Sequence, residues 1–188
     1  MTDAAPPRKR DAQATKSRIL EAAQHAFGTT GYSHTGIRDI ARLAGTSSTL
    51  LLRYFGSKAG LFEAALIAAI PIETVTSQPR DTLGRNLARS LLDPANAIRP
   101  PLMIALASGD PEAAAIAARV TEQRIIAPVA DWLGPPDARA RALEMAMLST
   151  GLVSYLRQLP LQRTTATEQA RIAQWYAEAI QAIVDRKP

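Results

Sequence analysis

The chain has 188 residues, 47% of them hydrophobic and none of them Cys, which is enough to bury a core and rules out a disulfide framework, a thiolate metal site and a Cys nucleophile. Its formal net charge is +5, and +4 of that falls in residues 1–70, where 9 Lys/Arg face 5 Asp/Glu; an excess placed in this way points to a polyanionic partner. The opening stretch is polar and Pro-containing with no apolar h-region, and the longest nearly uncharged apolar run, Ala64–Ile72, is too short to cross a bilayer, so a soluble, cytoplasmic protein with no membrane partner is expected.

Every element reads as helix, because Ala is abundant and strand-like alternation is nearly absent. Residues 1–14 read as a flexible basic tail whose Arg8-Lys9-Arg10 suits a minor groove. A first helix is predicted over about 15–30, with Ile19, Leu20, Ala22, Ala23, Ala26 and Phe27 on its apolar face and Gly28 and Gly31 ending it. A short second helix follows over 36–43, with Thr35 as its N-cap. Gly45 makes a tight turn, and Ser47 caps a third helix from about 48. Ser57 caps a fourth, which ends at Pro71 and covers 57–70. After a connection, helices are predicted over 81–92, 100–108 and 110–133, the last opened by Asp110-Pro111-Glu112 and kinked at Pro128. Two more cover 136–158 and 166–185, the latter opened by a Thr165/Glu168 capping box. The fold class is all-α, with about nine helices: a helix-turn-helix unit over 15–60, a connecting helix, and a helical bundle over 71–188.

The residues needed for enzyme chemistry are missing. The two His, His25 and His34, have no metal-ligand spacing, and there is no nucleophile elbow, dinucleotide loop or phosphate loop. No enzyme activity, cofactor or metal is expected.

The second and third helices have helix-turn-helix spacing: Ile37, Ile40 and Ala41 face inward, Gly45 turns the chain, and Leu51 and Phe55 face inward again. The start of the second helix in such a unit enters the major groove. Here it carries Thr46, Ser47, Ser48 and Thr49, small hydroxyl residues that allow close approach to base edges or phosphates. Arg38, Arg53, Tyr54 and Lys58 surround that face and suit phosphates. Of the apolar triplet Leu50-Leu51-Leu52, one flanking Leu is expected to pack inward and the other to meet DNA sugar or a thymine methyl.

This ordered set resembles the DNA-binding domain of the TetR/AcrR family of bacterial transcription regulators. The match runs through Phe27, Gly31-Tyr32, Thr35, Arg38-Asp39-Ile40-Ala41, Ala44-Gly45, Tyr54-Phe55 and Ser57-Lys58, and covers about residues 15–67. The stretches RPPLMIALASGDPEAAA and GLVSYLRQLPL are similar to one C-terminal subgroup common in actinobacteria. The resemblance implies that Ser47 caps the recognition helix, that Ser48 and Thr49 face bases, and that Thr35, Arg38, Tyr54 and Lys58 hold phosphates. The chain departs from the family pattern at Thr46, usually apolar, at Thr49, often Gly, and at Leu52, where a phosphate-contacting Tyr is common.

The resemblance further implies a homodimeric repressor on a palindromic double-stranded operator, released by a small, largely apolar effector. Leu87, Met103, Leu106, Met147 and Tyr155 are candidates for the effector pocket. Leu152, Ile172, Trp175, Tyr176 and Ile180, on the last two helices, are candidates for the dimer face. A second reading stays open here, supported by Leu52 and the hydroxyl-only tip: a helical ligand-binding or scaffold protein whose helix-turn-helix no longer reads DNA.

Overall fold

The computed structural model describes residues 7–96 and 100–187. Among the described residues there are eleven α-helical segments and no strand. They are α1 (Pro7–His34), α2 (Ile37–Leu43), α3 (Ser48–Phe55), α4 (Lys58–Ala69), α5 (Ile72–Thr76), α6 (Leu83–Leu92), α7 (Pro100–Ala107), α8 (Pro111–Thr121), α9 (Ala127–Leu133), α10 (Ala138–Val153) and α11 (Ala166–Val184). A π-helical turn, Glu122–Ile126, fuses α8 and α9 into one rod, and a second, Ser154–Gln158, extends α10. With α8 and α9 counted as one rod and the five-residue α5 set aside, nine helices remain, as the residue pattern indicated.

Two apolar cores hold these helices. In the first, Ile19, Ala23 and Phe27 of α1 meet Ile40 of α2, Leu51 of α3, and Leu61, Phe62 and Leu66 of α4. The i, i+4, i+8 spacing on α1 makes the stripe. Phe62 meets Phe27 edge-on, with ring centres 5.1 Å apart, and meets Tyr32 at 5.3 Å. The same core takes in Met103 and Ala107 of α7 and Ala113, Ala117 and Val120 of α8. The second core joins α6, α9, α10 and α11 through Leu83, Leu133, Met145, Leu152, Tyr176 and Ile180.

Two devices fix the second core. Gly84 lets α6 lie against the backbone of α11, since a Cβ there would collide with the carbonyl of Ala177. Arg141, 1% exposed, donates to four carbonyls: Gly134, Pro136, Ile183 and Val184. Two of those carbonyls belong to the last turn of α11, the negative end of that helix, so backbone dipoles balance the buried guanidinium.

Several expectations change. Residues 7–14, read as part of a flexible tail, form the first turns of α1, opened by Pro7; residues 1–6, and the Arg8, Lys9 and Arg10 side chains assigned to the minor groove, lie outside the described residues. The stretch after Pro71, read as a connection, contains α5. Pro128 is the second residue of α9, and a π turn, Glu122–Ile126, lies just upstream of it. Lys58–Thr76 is together long and apolar enough to cross a membrane, yet it is not one helix: Ile70 is extended, Pro71 follows, and Leu61, Phe62, Ala65 and Leu66 are spent on the first core.

Candidate nucleic-acid interface and ligand cavity

The helix-turn-helix is built from local signals. Gly45, at φ +60°, supplies the left-handed residue between α2 and α3. The Ser47 hydroxyl accepts from the Leu50 N–H at 3.1 Å and starts α3. The Ser57 hydroxyl accepts from the Gly60 N–H at 3.0 Å and starts α4. Leu51 is buried and pins α3 to the core, which leaves Thr49, Leu52, Arg53 and Tyr54 exposed, with Thr46 and Ser48 half-exposed. Leu52, at 41% exposure, is the outward-facing member of the apolar triplet, while Leu50 is half-buried. Arg38 is exposed on α2, and Arg42 beside it pairs with Asp39 at 3.5 Å.

Thr35 is placed differently from the expectation. Gly36, not Thr35, is the N-cap of α2, and it makes no side-chain bond. Thr35 is 4% exposed, and its hydroxyl donates to the Gly31 carbonyl at 2.6 Å and meets the Thr30 hydroxyl at 2.8 Å. The break of α1 at Gly31 frees that carbonyl, and Thr35 satisfies it. The Thr35 hydroxyl therefore seals the end of α1 and points inward, not toward solvent where a phosphate contact was expected.

Lys58 is half-buried, with its Nζ 4.2 Å from the centre of the Tyr32 ring, an attraction between cation and ring face. Tyr32 in turn donates to Glu112 of α8 at 2.5 Å. Burial, and then the bond to Glu112, push the phenol above its usual pKa, so it stays a neutral donor. Ser33 donates to Asp110, which caps α8. The face expected to hold DNA phosphates is thus wired to α8. The pair Gly31-Tyr32 was visible in the sequence, but nothing local signalled that Tyr32 bridges Lys58 and Glu112.

A cavity of about 420 Å³ lies among α5, α6, α7, the rod of α8, the Glu122–Ile126 turn and α9, and α10. Ile72, Leu87, Ile104, Ile125 and Met147 are among its walls. Among the described residues no charged side chain and no aromatic ring lines it; Thr121, Ser149 and Thr150 contribute its hydroxyls. The Ser149 hydroxyl is taken, donating to the Met145 carbonyl at 2.8 Å and paired with the Tyr176 hydroxyl at 2.6 Å. Burial pushes the Tyr176 phenol up to about 12. Thr121 Oγ1 is shut off from solvent and has no hydrogen-bond partner, a condition that costs on the order of 1–3 kcal/mol.

The model of the tetR family of bacterial regulatory proteins matches residues 19–65, and that of the tetracyclin repressor-like C-terminal domain matches residues 81–184, more than half of the chain. The chain belongs to the TetR family. It is 41% identical over 58 residues to the HTH-type transcriptional regulator TtgR of Pseudomonas putida, and 46% identical over 59 residues to RutR of Escherichia coli K12. Each match covers 31% of this chain and 28% of the relative's length. A putative TetR-family regulator from Rhodococcus has the same fold, with a TM-score of 0.72 at 19% identity over 92% of this chain and 100% of that one. The family is one of bacterial regulatory proteins, and both curated relatives are HTH-type transcriptional regulators.

Within this TetR-family fold, two of the five pocket candidates, Leu87 and Met147, line the cavity. The other three do not. Met103 is buried in the first core against Gly28, Leu106 packs on Gly31, and Tyr155 lies 63% exposed on a separate groove. Of the dimer-face candidates, Tyr176 and Ile180 are fully buried and Leu152 nearly so, all inside one chain's second core, so they offer no surface. Ile172 is half-buried and Trp175 is 56% exposed. Helical periodicity signals which face is apolar but not which neighbour covers it. The cavity residues Ile104, Thr121, Ile125 and Ala146 went unread for the same reason.

Proposed function

We propose that this TetR-family protein is a homodimeric repressor, which binds a palindromic operator through the outward face of α3 and is released when a small, largely apolar molecule fills the cavity. The observation that carries the DNA half is the division of α3: Leu51 is fixed in the core while Thr49, Leu52, Arg53 and Tyr54 face out beside Arg38. Hydroxyls and a leucine at that face suit base edges and thymine methyls, and the cations suit phosphates. Two such faces about 34–36 Å apart read successive major grooves. Support for the dimer comes from the exposed apolar side chain of Trp175 on α11.

Release follows from linkage. α5 continues from α4 into the cavity wall, and α7 presents Ile104 to the cavity and Leu106 to α1. A ligand that shifts α5 or α7 changes the seat of α1 and α4, and so the spacing of the paired α3 helices; ligand and operator then oppose one another by the same coupling free energy. The test is selection of bound sequences from random duplex DNA with the purified protein. Enrichment of a palindrome with half-sites one turn apart supports the reading. Recovery of no preferred sequence at any salt concentration rejects it in favour of a ligand-binding scaffold.

A further inference from the structure

We infer that the cavity selects an uncharged, largely aliphatic molecule with a single hydrogen-bonding group, and that Thr121 is the residue that receives that group. This rests on the reading of the cavity as the effector site. Three observations converge on it. First, no charged side chain or aromatic ring lines the cavity among the described residues, so an ion entering it sheds its hydration with no counter-charge or ring face in return. Second, its volume of about 420 Å³ lies within the range of small-molecule sites, but its polar inventory is three hydroxyls. Third, Thr121 is a half-buried wall residue whose hydroxyl is turned away from solvent and has no partner, whereas the Ser149 hydroxyl is held by Met145 and Tyr176.

The backbone explains why Thr121 is left over. It is the last residue of α8, directly before the π turn Glu122–Ile126. The wider turn sets Ile125 and Ile126 along the cavity wall with Thr121. A helical threonine hydroxyl normally bonds a carbonyl one turn back; here it makes no such bond. A threonine in a helix has two accessible χ1 wells, and the inference requires that the second well turn Oγ1 from its closed position to the ligand without moving the backbone. A hydroxyl both donates and accepts, so the ligand's group is an alcohol, ester, ketone or amide. An alkyl chain fills the Ile, Leu, Val and Met walls.

The experiment measures binding of four probes with one carbon skeleton, octane, 1-octanol, octanoate and octylammonium, to the 188-residue chain by calorimetry at pH 7.5, without DNA. Octanol is expected to bind at least about a hundredfold tighter than either ion, the desolvation of a charge being several kcal/mol. Thr121→Val, which keeps the shape, is expected to weaken octanol on the order of fivefold and leave octane unchanged. Ala146→Phe, which fills the cavity, is expected to abolish binding of both. Octanoate or octylammonium binding as well as octanol overturns the inference, as does an octanol affinity untouched by Thr121→Val, or no binding by any probe. Operator release is measured separately. Octanol that binds through Thr121 without releasing DNA leaves this inference standing and removes the repressor reading.

Discussion

Arg53 and Lys58 carry equal charge but sit in unlike surroundings. Arg53 stands exposed on α3, whereas Lys58 is half-buried over the Tyr32 ring. Arg53→Ala is expected to weaken duplex binding at every sequence and lower the salt slope by about 1, as read by titration at several salt concentrations. Tyr32→Phe keeps the ring beneath Lys58 and removes only the bond to Glu112. It is expected to leave operator affinity nearly intact while reducing the effect of ligand on it, read by comparing operator affinity with and without ligand. Arg141 is a matter of stability. Its five donors reach four backbone carbonyls in two separate segments, an arrangement that a lysine's single ammonium cannot reproduce. Arg141→Met is expected to destabilise the fold by roughly 3 kcal/mol, measured by denaturant unfolding. The caps Ser47, Ser57 and Thr165 were legible in the sequence because each bond is made three residues away, inside a string that the eye can scan. Thr35 was not, because the string around it also looks like a cap, and only the broken end of α1, brought back by the turn, pulls the hydroxyl inward.

At the scale of elements, α6 and α11 pack closest at Gly84, where the nearest atoms are backbone and cannot move aside. Gly84→Ala is expected to separate these helices and lower the melting temperature by several degrees or more, while Gly151→Ala, in open space inside α10, is expected to raise it by a few degrees through helix propensity. Acid acts on one tie between elements, Glu63 of α4 with Arg119 of α8, and on the cap of α11. Hydrogen bonding to Arg119 holds the Glu63 carboxyl below its ordinary 4.5, and bonds from Thr165 do the same for Glu168. A depressed folded-state pKa means that the stabilisation is fully present above about 4.5 and is lost as pH falls through the lower folded value. Melting curves are therefore expected to hold steady down to about pH 5 and to drop below it. The number and order of helices were legible because each is bounded by Pro, Gly or a capping residue. The π turns were not, since the sequence marks only Pro128, and the wider turn falls on Glu122–Ile126, upstream of it.

For the whole molecule, the proposed assembly rests on surface that the single chain leaves uncovered. Trp175→Glu places a charge on the exposed face of α11 without touching the buried Tyr176 and Ile180, so it is expected to yield folded monomer at micromolar concentration and to weaken operator binding by removing paired half-sites. Sedimentation velocity with circular dichroism separates this from unfolding. The helical faces were readable from the sequence, but their partition between an internal core and an outer surface depends on how α6 and α9 arrive at α10 and α11, which no local pattern states.

The first core reaches well beyond the helix-turn-helix. Met103, Ala107, Ala113, Ala117 and Val120 close over Ile19, Phe27 and Phe62, and Tyr32 reaches across to Glu112. For protein engineering, the DNA reader is consequently not an interchangeable cassette. A hybrid spliced near residue 70 onto a relative's sensor exchanges half of a shared interior and leaves the other half mismatched. Grafts that keep α7 and α8 with their own reader, or that redesign only the outward residues of α3, preserve that interior and offer the sounder route to new DNA specificity.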